Sequence, residues 1–386
     1  MKKFFFFAAA VVAMAACQKE AQLSSNEFAA PVEDGAPVAV MFNSNVKASV
    51  STKAQGGVDA WDATQNLHIY GYQRVRGGVD YTTAVPFINN VVAASPAADA
   101  ENNQLAVLNE AGKPFYYVGN NTYDFYGYYV DDLAAEPQTT ATGVYVPVTI
   151  TGGEDLMVAK ADPSVDGAAL ADYRFAYSAY AARRGVQPTL NFQHQLVRFR
   201  FQITSGTTFE TTGDAEKNMY VTGLTLNARN TADLYVAGET VGLQNISDAR
   251  ADLALRSLVD GALVDLVAYE VPDKDAVVVE GANILGESLM VIPNEVVDGE
   301  ADTFKATLTM TQFGETQELP LTLSIADVKD AEGNPVNQTQ FTAGYSYLIT
   351  VKVYGLEEVK ISAELEPWKD GGKIEIDTDE EPEIFE

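Results

Sequence analysis

The dominant pattern along this chain is alternation of apolar and polar residues, the period-2 signature of half-buried strands. Its clearest instance is the stretch 190–203, LNFQHQLVRFRFQI. Leu190, Phe192, His194 and Leu196 alternate with Asn191, Gln193 and Gln195. From Val197 the phase slips, and Val197, Phe199, Phe201 and Ile203 alternate with Arg198, Arg200 and Gln202. A one-residue shift sends every later side chain to the opposite face of a sheet. The slip therefore predicts a bulge at Leu196–Val197 or a strand passing from one sheet to another. We read it as the point where the chain leaves one β-sandwich and begins the next.

Short aromatic or β-branched runs bounded by Gly, Asn, Asp and Pro predict strands on both sides of that point. Before it they are Leu67–Tyr72, Pro114–Val118, Tyr123–Val130 and Gly143–Ile150. After it come Tyr220–Ala228, Leu263–Val271, Leu289–Ile292, Phe304–Met310, Leu319–Ile325 and Tyr345–Tyr354. Val359, Ile361, Ala363 and Leu365 alternate with polar residues, and Lys373–Ile376 forms a last short strand past Pro367-Trp368 and Gly371-Gly372. Ala93–Gly112 and Ala161–Arg184 are Ala-rich and predict loops with short helical turns. Many short strands between turn signals predict an all-β protein of sandwiches or barrels. No sequence repeat of fixed period is seen.

Near the amino end, Val38, Val40 and Phe42 predict one short strand isolated between two polar stretches. The preceding one, 18–36, reads as a tether, and the following one, NSNVKASVSTKAQGG, as an exposed loop. Further upstream, Lys2 and Lys3 precede an apolar run of 13 residues, Phe4–Ala16. That is the size of a signal-peptide core and too short to span a bilayer. It ends at Met14-Ala15-Ala16-Cys17, which resembles the lipobox of bacterial lipoproteins. Cys17 is therefore read as the lipidated first residue of the exported chain rather than as an incidental thiol. As the only cysteine, it leaves no internal disulfide, so the fold rests on packing.

Length and charge narrow the picture. A chain of 386 residues suits two domains. A net charge of −29 excludes a nucleic-acid partner, whose phosphates need a basic face. Parts for catalysis are few: the two histidines, His68 and His194, lie within strand patterns and read as hydrogen-bonded structural residues. No metal-binding, P-loop or GxSxG motif is present, and no cofactor is expected. A paired-carboxylate glycosidase stays open, because only a structure places two carboxylates across a cleft. The acidic stretches from Asp273 and Asp327 lack calcium-loop spacing and read as hairpin turns. The aromatic cluster Tyr123–Tyr129 reads as strand core before it reads as a sugar platform.

Taken in order, these pieces resemble the fimbrillin family of pilins and fimbrial accessory subunits. The resemblance runs from Cys17 through Ser51-Thr52-Lys53-Ala54, Trp61-Asp62, Leu67–Tyr70 and Phe125–Tyr129. It continues through Glu154–Ala159, Leu190–Leu196, Leu289–Pro293 and Phe341–Tyr345 to Pro367-Trp368. It implies two tandem transthyretin-like β-sandwiches, here 54–190 and 191–386, after a signal peptide, 1–16, and a propeptide, 17–53.

The resemblance also implies an outer-membrane lipoprotein precursor that a trypsin-like protease cuts. The matching position is Lys53, where an arginine is common, so the mature chain would begin at Ala54. Lys47 lies in the same loop as a second choice, and Arg74 and Arg76 follow a strand too closely. The cut would release the first strand and open a groove for a strand of the next subunit. Refilling it with four or five apolar side chains would give roughly 6–12 kcal/mol gross. The carboxy-terminal strand carrying Ile374 and Ile376 is the candidate donor, with Val359–Leu365 beside it. The partners implied are other pilin subunits, the protease and the outer membrane. The alternative reading is a monomeric surface lipoprotein that binds glycan or another ligand.

Overall fold

The computed structural model describes residues 28–46, 61, 63–96, 104–131, 133, 135–206, 218–272, 283–295, 300–330, 333–356 and 358–366. Cys17, Lys47, Lys53, Ala54, Ile374 and Ile376, each singled out from sequence, lie outside them. In chain order the strands begin with β1 (Phe42–Val46), β2 (Asn66–Gln73), β3 (Ile88–Ala94), β4 (Gln104–Leu105), β5 (Tyr123–Tyr129) and β6 (Gln138–Thr139). Next come β7 (Gly143–Thr149), β8 (Met157–Lys160), β9 (Thr189–His194), β10 (Val197–Ser205), β11 (Tyr220–Arg229) and β12 (Thr231–Gly238). They are followed by β13 (Gly242–Gln244), β14 (Arg250–Ala254), β15 (Arg256–Val259), β16 (Ala262–Asp265), β17 (Tyr269–Glu270) and β18 (Leu289–Val291). The last are β19 (Thr303–Gln312), β20 (Glu315–Ser324), β21 (Val328–Lys329), β22 (Ser346–Gly355) and β23 (Glu358–Glu366). The protein is all-β, as its alternating pattern predicts.

The phase slip is a change of sheet. The N–H of Gln195 donates to Leu156 O beside β8, while Leu196 O accepts from Gly344 N beside β22. One dipeptide thus closes the ladder of one sheet and opens that of another, and both Leu196 and Val197 are fully buried. β9 belongs to a seven-stranded sheet in the order β3-β2-β5-β8-β9-β1-β4. β10 belongs to a five-stranded sheet in the order β18-β10-β22-β23-β21. The latter packs on a second sheet, β14-β11-β19-β20, through rings such as Phe199 on β10 and Phe304 on β19, 5.4 Å apart.

A single cut at residue 190 does not divide the sheets, however. β11 ends at Arg229 in the carboxy-terminal sandwich; Ile150 N then donates to Asn230 O, and β12 pairs with β7 from Thr231↔Thr149 onward. The hairpin β12–β13 thereby returns to build a four-stranded sheet, β13-β12-β7-β6, with strands from the other half of the chain. Val144, Val146, Leu234 and Val236 from this sheet join Tyr70, Tyr126 and Tyr128 of the seven-stranded sheet in one core. That core continues without a break into the carboxy-terminal sandwich.

The stretch 161–184 holds the expected helical turns: α1 (Pro163–Asp166), capped by Asp162, a 3-10 turn at Tyr173–Phe175, and α2 (Ala179–Ala182), capped by Ser178. These place Ala176, Tyr177 and Ala181 in a second core on the far face of the seven-stranded sheet. The described part of 93–112 differs from expectation. It holds the end of β3, β4 and a Leu108↔Pro114 bridge, with no helical turn among its described residues. Likewise 114–118 pairs only through isolated bridges, to Ala39 and Leu108.

Candidate functional site

The feature with most bearing on function is the seat of the first strand. Its pairing starts before β1, where Val40 N donates to Phe115 O and Tyr117 N to Val38 O. β1 then lies antiparallel to β4, with Phe42 opposite Leu105. On its other side it runs parallel to β9, from Asn43↔Thr189 to Val46↔Phe192. The observed strand thus begins where the predicted one, Val38–Phe42, ends; residues 38–40 are extended and paired but belong to the entry of the slot.

Alternation decides what the slot receives. Val40, Phe42 and Ser44 point inward and are buried, Ser44 completely and Phe42 to 1% exposure, while Met41 and Asn43 face out. The Phe42 ring meets the edge of Phe125 on β5 at 5.1 Å. β5 lies three strands away from β1, which in a flat sheet would be about 14 Å at the usual strand spacing. The sheet therefore rolls at β9 and folds β1 back over its own face. Around Phe42 the second core gathers Leu105, Val107, Tyr117, Leu190 and Phe192. Gly127 on β5 is required by this roll, because a Cβ there would stand 2.6 Å from the Phe192 ring.

Among the described side chains of the strand only Val40 and Phe42 are fully buried apolar pegs, with Val38 packed at the edge. Two such groups contribute about 3–6 kcal/mol gross. The rest of the hold is backbone pairing on both sides and a clamp upstream. Arg184 Nη2 donates to Glu33 Oε1 at 2.6 Å, and Arg183 Nη2 donates to Ala36 O at 3.0 Å. Both arginines follow α2, and the Arg184 guanidinium stacks 3.6 Å over the Tyr180 ring. The hydrogen bond from Arg184 holds the Glu33 carboxyl below its ordinary pKa.

At the other end of the chain, β23 is an interior strand of its own sheet. It lies antiparallel to β22 from Ser346↔Glu366 to Gly355↔Glu358, and parallel to β21 at Val328↔Ala363. Val359–Leu365 is therefore already paired with β22 along its length, and with β21 at Ala363 and Glu364.

The other singled-out residues take structural places. His194 Nδ1 lies 2.9 Å from Asp155 Oδ2, with both side chains almost wholly buried. This brings together two motifs that lie far apart in sequence. His68 stacks on Tyr128 at 4.6 Å and is hydrogen bonded to Asn90; burial lowers its pKa. Arg74 is buried and paired with Asp124 at 2.7 Å, which removes it from consideration as a cut site. The rings of Tyr123, Phe125, Tyr126, Tyr128 and Tyr129 are buried in the two cores. The stretch from Asp327 closes a turn in which Asn334 N donates to Asp330 Oδ1. No group of His, Cys, Asp or Glu that could hold a metal occurs among the described residues.

Among solved structures, a candidate cell adhesion protein of Bacteroides uniformis superposes with a TM-score of 0.46 at 16% identity, over 86% of this chain and 98% of its own. A second, from Bacteroides ovatus, gives 0.46 at 15% identity, over 86% and 99%. A candidate adhesin of Bacteroides thetaiotaomicron gives 0.37 at 12% identity, over 85% and 97%. No curated protein sequence matches the chain. The sequence itself matches the fimbrillin-like family over residues 52–368. On that match, the chain belongs to the fimbrillin-like family.

Proposed function

We propose that the chain is a structural subunit of cell-surface fimbriae, exported as a lipoprotein on Cys17 and matured by a trypsin-like protease after Lys53. The matured subunits then polymerise by strand exchange and support adhesion. The observation that carries this reading is the slot around β1. Residues 28–46 cross the domain through pairing, two apolar pegs and the Glu33 clamp. A cut at Lys53 would leave them attached by those contacts alone. The family match begins at Thr52, beside the proposed cut, and leaves β1 outside it.

Once vacated, the slot presents unpaired edges of β9 and β4 above an apolar pit. Such an edge accepts an extended strand from another chain, with backbone bonds giving affinity and pits giving register. Because β23 is paired at home, the proposed donor is the segment beyond it, carrying Ile374 and Ile376. A head-to-tail contact of this kind does not close on itself and so builds a filament. Before the cut, β1 blocks the slot and keeps the precursor from assembling early. The test is Lys53→Gln in the native host. Uncut, lipid-anchored monomer on the outer membrane is expected, and normal fibres from this variant would refute the cut.

A further inference from the structure

A second site lies at one end of the amino-terminal sandwich, where its two sheets part. The end of β2, the start of β5 and the end of β8 form one wall; the turns at 141–142 and 238–239 form the other. Between them is a cleft of about 630 Å³, within the range of about 300–1,000 Å³ typical of ligand pockets. Its lining includes Tyr81 and Tyr126, whose hydroxyls are hydrogen bonded to each other at 3.2 Å. Burial raises the pKa of both phenols, so both stay protonated; one hydroxyl donates to the other, which leaves one proton of the pair for a ligand. Lys160 directs its ammonium to Gly238 O at 3.0 Å and Glu239 O at 2.9 Å, across the Tyr126 ring. The carboxylates of Asp80 and Glu239 belong to exposed residues of the lining.

Arg74 is the buried cation of this lining, with its guanidinium 5.6 Å over the Tyr177 ring. Its side chain is 8% exposed; Nε donates to Asp124 and Nη1 to Arg174 O. Nη2 is buried and has no hydrogen-bond partner among the described residues. A buried donor without an acceptor is costly, and a ligand oxygen entering the cleft beside Arg74 would relieve that cost once the guanidinium shifts toward it.

We propose that this cleft binds a neutral saccharide. Donors (Arg74, Lys160, the tyrosine hydroxyls) and acceptors (Asp80, Asp124, Glu239) stand together in it, and a polyhydroxy ligand satisfies both kinds because each hydroxyl donates and accepts. The two cations nearly balance the three carboxylates, so the lining favours neither polycations nor polyanions. A chain of net charge −29 further repels acidic glycans. This reading does not need strand exchange, but the lining includes Phe28, part of the segment the proposed cut would release, so the uncut chain is the form to probe.

The test is an array of neutral oligosaccharides of hexose and N-acetylhexosamine, printed beside sialylated and sulfated ones and probed with the full-length chain. Calorimetric titration of the best neutral probe into variants follows. Lys160→Met combined with Glu239→Gln is expected to weaken binding at least tenfold, and Tyr81→Phe severalfold, in protein whose circular dichroism spectrum shows the fold retained. Glu239→Gln alone, on an exposed residue, keeps the test valid if the double variant folds poorly, and weaker binding is again expected. The proposal is overturned if no neutral probe binds, if only acidic probes bind, or if folded variants retain full affinity.

Discussion

β1 and β23 hold the same kind of place in two different sheets. Each lies between a longer strand and a two-residue one: β1 between β9 and β4, β23 between β22 and β21. They differ in what lies beneath them and in what ties them down. β1 pairs with β9 over only Asn43–Val46 but sends Phe42 and Ser44 into a closed core. β23 pairs with β22 along nearly its whole length, yet its Val359 and Ile361 are half-buried. β23 also follows β22 directly, whereas β1 meets partners far along the chain, such as Thr189 opposite Asn43. Removing β23 would expose an edge; removing β1 would open a pit. An edge accepts almost any extended chain, while a pit selects the side chains that enter it. A strand suited to exchange therefore needs no weak pairing. It needs a place whose vacancy is specific and a connection that can be cut.

The largest effect that would sharpen this contrast concerns the tail beyond β23. The double variant Ile374→Asp with Ile376→Asp is expected to abolish fibres seen by electron microscopy while leaving the monomer's unfolding curve unchanged. Fibres of ordinary length would remove that segment as donor. Next comes the difference in depth. Phe42→Ala in the uncut chain should cost about 3–5 kcal/mol in urea unfolding, as expected for a buried aromatic ring. Ile361→Ala, at a half-buried site, should cost about 1–2 kcal/mol, below the range for buried isoleucine. Equal losses would erase the distinction between pit and edge.

A smaller effect concerns pH. Burial lowers the pKa of His68, so between its folded value and the ordinary one near 6.5 the unfolded chain binds the extra proton. Stability should be full above about pH 6.5 and decline as pH falls toward the folded value. His68→Gln should flatten that decline in thermal melts taken from pH 7.5 to 5, and an unchanged slope would refute the assignment.

Much of the fold is legible in the sequence because period-2 alternation reports directly on half-buried strands. β2, β5, β7, β11, β19 and β22 stand where their runs predict, and the slip at Leu196–Val197 marks a real change of sheet. What alternation cannot carry is partnership. Ala232, Leu234 and Val236 alternate plainly, but nothing local tells that β12 crosses back to β7. The same holds at the slot. Val38, Val40 and Phe42 are readable as a strand, while Leu105, Tyr116 and Thr189 become its neighbours only through the rolled sheet. The inward position after Phe42 is Ser44, which a count of apolar residues passes over. The arginine clamp on Glu33 left no signal, since charged residues on a polar tether and after a short helix carry no shared pattern.

The central claim, that β1 must leave for subunits to join, is open to one direct measurement. Asn43 and Thr189 are register partners on adjacent strands, so Asn43→Cys with Thr189→Cys places two thiols where a disulfide can lock β1 to β9. Fibre length is then measured for protein cut after Lys53, with the bond oxidised and again after reduction. The account predicts monomers while the bond holds and fibres once it is reduced. Fibres of full length with the bond intact would contradict it.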